Sequence, residues 1–187
     1  AHGMSVGQAR SPDEGPIHPS LTMLLLTSGS TGSPKAVRLS TDNLASNAAA
    51  ICEYLRIDAS QTAITSLPMS YSYGMSVLNS HLHAGASLVL TNASTTTAEF
   101  WDLFRARACT SLAGVPFTYE ILERLRFPDW HLPSLGYVTQ AGGRLPEARA
   151  RKFAAWAAQR NVRLHVMYGQ TEASPRMAYV PTERLPD

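Results

Sequence analysis

The 187-residue sequence is poor in cysteine, in charge and in long apolar runs. Its two cysteines, Cys52 and Cys109, lie far apart with no CxxC spacing, which argues against a zinc ribbon or a thioredoxin-type motif. A chain of this length can build its core from Leu, Val and Ile without a disulfide. Both cysteines are therefore expected as free, buried thiols in a reducing compartment. The roughly 18 to 20 consecutive apolar residues of a membrane span occur nowhere, and no apolar segment follows a basic start. A soluble, cytoplasmic protein with no membrane partner is expected. Charged residues make up only 16% and the formal net charge is +2. The basic residues are scattered except between Arg144 and Lys152, a solvated helix face sooner than a nucleic-acid patch. His81 and His83, two apart on an expected helix, diverge by about 200° and cannot chelate one ion together. His165 reads as a core or edge residue of a strand, and no Ser-His-Asp set or metal-ligand cluster stands out.

What is present fits a folded α/β unit. Apolar residues reach 44%, with 12 Gly and 12 Pro punctuating the chain, a globular composition with many turns. The opening Ala1-His2-Gly3-Met4 reads as a tag remnant, and the stretch to Ser20 as a linker, with the ordered unit beginning at Leu21. From there short apolar runs alternate with helical patterns. Strands are expected over Leu21 to Thr27, Ala36 to Leu39, Thr62 to Leu67, Ser87 to Leu90, Ser111 to Val115, Leu135 to Thr139 and Val162 to Met167. Helices are expected over Asp42 to Leu55 behind a Ser40 or Thr41 cap, Ser72 to His83, Ala98 to Ala108, one opened by Pro116, and one with Pro146 at its first position running to about Arg160. This alternation implies a largely parallel β-sheet flanked by helices. Ligands of such sheets collect at the carboxyl ends of the strands, which directs attention to the loops after Thr27, Thr139 and Met167.

The first of these loops is Thr27-Ser28-Gly29-Ser30-Thr31-Gly32-Ser33-Pro34-Lys35. Its glycines let backbone N–H groups turn toward an anion, its hydroxyls add donors, and Lys35 supplies a point charge. Together they suit a polyphosphate. It is not a Walker loop, which needs Gly directly before the Lys, Ser or Thr after it, and then a helix. A plain Gly/Ser hairpin between two strands is the alternative.

A second cluster, Tyr168-Gly169-Gln170-Thr171-Glu172, follows the last strong strand. An aromatic face can stack on a base, a hydroxyl can reach a phosphate, and a carboxylate can hold Mg²⁺. The alternative is a strand end running into a helix cap, with Glu172 meeting the helix dipole. Thr139-Gln140-Ala141-Gly142-Gly143 is another strand end rich in small residues, against which a flat ring can lie. By itself it is an ordinary turn before a helix.

The loop from Thr27 to Lys35 resembles the signature of the adenylate-forming superfamily, which includes acyl-CoA synthetases, peptide-synthetase adenylation domains and luciferase. The resemblance extends from Leu21 to Asp187 and implies part of the large N-terminal domain of the synthetase fold. It departs at Ala36, where the family usually has Gly, and at Tyr71, which stands where a histidine is expected in Leu67-Pro68-Met69-Ser70-Tyr71-Ser72-Tyr73-Gly74.

By resemblance, Thr27, Ser28, Gly29, Ser30, Thr31, Gly32 and Lys35 hold the phosphates of ATP. Ala141, Gly142 and Gly143 lie against the adenine with Tyr168, while Gly169 and Gln170 complete that loop. Thr171 touches the α-phosphate and Glu172 binds Mg²⁺, so that Lys35, Thr171 and Glu172 form the catalytic set. Tyr71, Gly74, Val115 and Pro116 border the pocket of a small-molecule carboxylic acid. The implied reaction activates that acid as an acyl-adenylate and passes it to a thiol, CoA or a carrier protein. The family's ribose-binding Asp and mobile C-terminal Lys belong downstream of the region matched. The chain is thus expected to be inactive alone and to self-associate through surfaces a larger domain would cover. Alternatives are a peptide-synthetase adenylation domain and a non-catalytic nucleotide-binding or interaction module.

Overall fold

A computed structural model describes residues 16–27, 35–180 and 184–185. In chain order its strands and helices are β1 (Leu21–Thr27), β2 (Lys35–Ser40), α1 (Thr41–Leu55), β3 (Thr62–Ile64), α2 (Ser72–His83), β4 (Ser87–Val89), α3 (Ala98–Ala106), β5 (Ser111–Gly114), α4 (Pro116–Arg124), β6 (Tyr137–Gln140), α5 (Glu147–Gln159), β7 (Arg163–Tyr168) and β8 (Ala178–Val180). Short 3₁₀ turns occupy Phe127–Asp129 and Thr171–Ala173.

The sheet is six-stranded in the order β4-β3-β5-β6-β7-β8. Every neighbouring pair is parallel except β7 and β8. The expected largely parallel sheet is present, with two differences. β1 and β2 stand apart as an antiparallel hairpin, Thr27 paired with Lys35. The segment joining them is too short for the crossover that parallel strands need. β8 was not anticipated, being three exposed residues without a buried face to leave a periodic signal.

Side chains alternate strictly across the sheet. Leu112, Val138 and Leu164 enter one core with Phe100, Trp101 and Phe104 of α3, Tyr119 and Leu122 of α4, and Phe153 and Trp156 of α5. On the same strands Ala113, Tyr137 and Met167 face the other side, where Ile51 and Leu55 of α1 and Tyr73 of α2 pack. The period of two along each strand makes a three-layer sandwich of helices, sheet and helices.

Helix ends follow local chemistry. Ser40 Oγ accepts from the Asn43 N–H and Asn43 Oδ1 accepts from the Ser40 N–H, both at 3.1 Å, so Ser40 is the cap of α1 and Thr41 is its first residue. Pro116 opens α4 as expected. Pro146, expected as the first helical residue, is instead the extended cap of α5, with ψ 136°. β3 stops earlier than expected because side chains replace its ladder. Ser66 Oγ donates to the Ala113 carbonyl at 2.6 Å, and Thr65 Oγ1 donates to the Thr91 carbonyl at 3.0 Å. Both cysteines are free, but only Cys109 is buried; Cys52 is half-buried, its thiol donating to the Ser80 carbonyl at 3.0 Å. No helix among the described residues is long and apolar enough to cross a membrane.

Candidate functional site

The carboxyl ends of β6 and β7 carry two of the loops singled out from sequence, and the first of them meets the Val115–Pro116 segment that follows β5. At the end of β6, Ala141 is buried and its N–H donates to the Gly114 carbonyl at 3.2 Å. Gly142 follows with φ +80°, a conformation side chains rarely adopt. A β-carbon there would collide with the Tyr71 hydroxyl and lie 3.1 Å from Val115 Cγ1. One at Gly143 would lie 3.1 Å from Pro116 Cγ. Gln140, fully buried, fastens the turn by donating from Nε2 to the Gly143 carbonyl at 2.8 Å. Tyr71, Val115, Pro116, Gly142 and Gly143, far apart in sequence, thus form one small-residue platform under an aromatic ring.

Tyr71 precedes α2 in extended conformation and packs edge-on against Tyr73, the ring centroids 6.3 Å apart. Burial raises the pKa of its phenol, so it remains a neutral hydroxyl. Gly74, also expected at the acid pocket, packs tightly on the Pro68 carbonyl. It lines a narrow, mostly apolar cleft under α2 with Leu67, Val77, Leu88 and Ala113. Gly74 therefore lets α2 approach the 67–68 turn closely and leaves this cleft beside it.

The loop after β7 brings a second set of groups to the first turn of α2. Thr171 Oγ1 donates to Ser72 Oγ at 2.9 Å. Glu172 is exposed and makes no ion pair among the described residues. Tyr168 ends β7 with 63% of its surface exposed, an open aromatic face, and Gln170 is exposed beside it. Gly169 is wedged against the Pro175 carbonyl, where no β-carbon fits.

The hairpin's stem also reaches this region. β2 lies against the Thr171–Ala173 turn, and Thr27 Oγ1 donates to the Lys35 carbonyl at 3.4 Å at the loop end of the hairpin. Lys35 is exposed. Ser28, Gly29, Ser30, Thr31 and Gly32 lie outside the described residues. The strand that begins at the exposed Lys35 thus packs beside the turn that carries Thr171 and Glu172.

An exposed, unpaired carboxylate beside a hydroxyl suits Mg²⁺, which keeps several waters and takes one or two carboxylates together with substrate phosphates. No group of three or more His, Cys, Asp or Glu among the described residues could cage a metal by itself. His81 is buried and structural: Nδ1 donates to the Val77 carbonyl at 2.8 Å and Nε2 accepts from the Tyr137 hydroxyl at 3.3 Å. Burial holds its pKa below the usual value, with the nearby Arg176 charge adding to the effect.

The family profile described as AMP-binding enzyme matches residues 4–187. The chain belongs to the AMP-binding enzyme family. Among its relatives, indoleacetate–CoA ligase of Aromatoleum aromaticum is 33% identical over 173 residues, covering 91% of this chain and 32% of that protein. Medium-chain fatty-acid–CoA ligase of Escherichia coli is 29% identical over 156 residues, covering 83% and 27%. The chain therefore spans about a third of the length of these relatives. Among solved structures, O-succinylbenzoate coenzyme A synthetase from Bacillus subtilis in complex with ATP and magnesium ion superposes with TM-score 0.73 at 21% identity, over 86% of this chain and 32% of that one. At that identity the likeness is one of fold. The loops placed at the strand ends here are thus carried on the sheet of an AMP-binding enzyme.

Two features of the site had no sequence signal. Ser72 stands between two tyrosines with nothing in the sequence to mark it, yet its hydroxyl meets Thr171. Tyr73 donates from its hydroxyl to Thr139 Oγ1 at 2.7 Å and so ties α2 to the end of β6.

Proposed function

We propose that the chain is the nucleotide-binding segment of an ATP-dependent, AMP-forming acid–thiol ligase. The supporting observation is the convergence of Tyr71 and Val115 on Gly142, with the Thr171–Glu172 turn docked on the adjoining residue, Ser72. The CoA ligases among its relatives point to the same chemistry.

In this reading an oxygen of the substrate carboxylate attacks the α-phosphorus of ATP and the bond to pyrophosphate breaks. The sulfur of a thiol, CoA or a carrier, then attacks the acyl carbon of the adenylate and AMP departs. The first step depends on positioning and on offsetting charge. The Gly142 turn leaves a flat surface for the adenine, and Tyr168 offers its exposed ring beside it. Thr171 turns its hydroxyl from Ser72 to an oxygen of the α-phosphate. Lys35, with the Thr27 to Gly32 loop, offsets the charge of the pyrophosphate portion, and Glu172 holds Mg²⁺. When bound, the metal supplies neutralisation of the phosphate oxygens. Tyr71, as a neutral hydroxyl at the edge of the platform, borders the acid.

Because the chain spans about a third of its relatives, the 187 residues bind MgATP in this proposal but do not complete the reaction. The exposed Leu24 and Leu26 of β1 and the open edge of β8 favour self-association, which sedimentation at two concentrations measures. ATP–pyrophosphate exchange with a panel of fatty and aryl acids tests the activity. Exchange is expected from the chain extended by the rest of its reading frame and not from the 187 residues alone. Robust turnover by the shorter chain refutes its incompleteness, and silence of the extended one with every acid refutes the ligase reading.

A further inference from the structure

Arg176 belongs to none of the site's motifs, yet it joins their supports. Its guanidinium lies over the Tyr73 ring, Cζ 4.9 Å from the centroid. Nε donates to Ser76 Oγ at 3.0 Å and Nη1 to the Tyr54 hydroxyl at 3.4 Å. Its carbonyl accepts from Asn47 Nδ2 at 3.3 Å. One half-buried residue thereby reaches α1 through Asn47 and Tyr54, and α2 through Tyr73 and Ser76. The Tyr73 ring beneath it is the one whose hydroxyl holds Thr139, next to the Gly142 turn.

The loop that Arg176 ends has few other ties. It doubles back so that the Met177 N–H donates to the Tyr168 carbonyl at 2.9 Å, and it turns through Ser174 at φ +56°. Gln170 and Glu172 are exposed, so burial of their side chains does not fix the loop against the sheet. Among the described residues, its side-chain ties to α2 are Thr171 to Ser72 and the contacts of Arg176. If Thr171 releases Ser72 to meet a phosphate, Arg176 is the side-chain tie to α2 that remains, beside the packing of β2 on the turn.

We propose that Arg176 is a positioning residue that staples the turn carrying Thr171 and Glu172 to α2, holding it in the geometry that receives the phosphates and Mg²⁺. The inference rests on the nucleotide-binding reading above. An arginine suits the task because its planar fork donates in two directions while its face stacks on an aromatic ring. Lysine supplies the same charge without the fork.

The test titrates MgATP into wild type, Arg176→Ala and Arg176→Lys, and follows hydrogen exchange of the 170–177 backbone amides without nucleotide. A loss of affinity of about tenfold is expected for Arg176→Ala, the scale of an outer-shell partner, with the melting temperature within about 4 °C of wild type. Arg176→Lys keeps most of that loss, whereas a purely electrostatic role would be restored by lysine and erased by salt. Exchange in the 170–177 loop quickens in both variants. Ser76→Ala, which removes one acceptor and leaves the Tyr73 stack, gives a smaller loss in the same direction should Arg176→Ala fail to fold. Wild-type affinity in Arg176→Ala, or full rescue by lysine, overturns the proposal. If wild type itself does not bind MgATP, the nucleotide reading falls, and the exchange arm decides the staple alone: quickened exchange supports it and unchanged exchange overturns it.

Discussion

The Tyr71 hydroxyl occupies the space that a β-carbon on residue 142 would need. Position 142 must therefore be glycine on two counts, contact and a φ of +80°. Gly142→Ala is expected to destabilise the fold by about 1–3 kcal/mol, the range for forcing an extra carbon into a packed site. Adding Tyr71→Phe removes the colliding oxygen and recovers part of the loss, since the φ strain and the Val115 contact remain. Thermal unfolding of both single variants and the double variant checks this, and strict additivity would show that the two residues do not meet.

The core opposite the site makes a larger demand. Phe153 is almost fully buried and packs edge-on against Tyr119, with ring centroids 5.0 Å apart. Phe153→Ala should cost about 3–5 kcal/mol in denaturant unfolding, as large-to-small changes of buried aromatics do.

Stability should fall on mild acidification because of His81. The native state holds it neutral between the Val77 carbonyl and the Tyr137 hydroxyl, its pKa lowered first by burial and further by Arg176. In the unfolded chain it takes up a proton below about 6.5. The unfolded state then binds more protons than the native one, so this contribution is fully present above that pH and is lost progressively as pH falls from there through the lower native pKa. Urea unfolding across this range should show the decline, and His81→Gln should flatten it.

The sheet and its helices were legible because periodicity reports burial. β1 and α2 begin and end where the sequence places them, since turn and cap residues bracket a strongly patterned run. β8 was not legible, with all three residues exposed. Nor was the separation of the β1–β2 hairpin from the main sheet, because alternation along a strand does not name its partner. Within the site, Gly142 and Thr171 were legible as chemistry, but their neighbours were not. The Tyr71–Gly142 contact spans 71 positions of sequence and Arg176 acts through residues on two helices, relationships that only tertiary packing creates.

Calorimetric titration of the 187-residue chain with ATP, in the presence and absence of Mg²⁺, tests the central claim most directly. Glu172 is exposed and free of ion pairs among the described residues, so Glu172→Gln should leave folding intact. It should weaken Mg²⁺-dependent binding by at least about tenfold, since even outer-shell partners of a metal carry that much. Lys35→Ala should weaken binding with or without the metal. Saturable binding that responds to both substitutions in this way is the expected result. Binding absent at ligand concentrations of about 1 mM and above, or unchanged in both variants, would contradict the account.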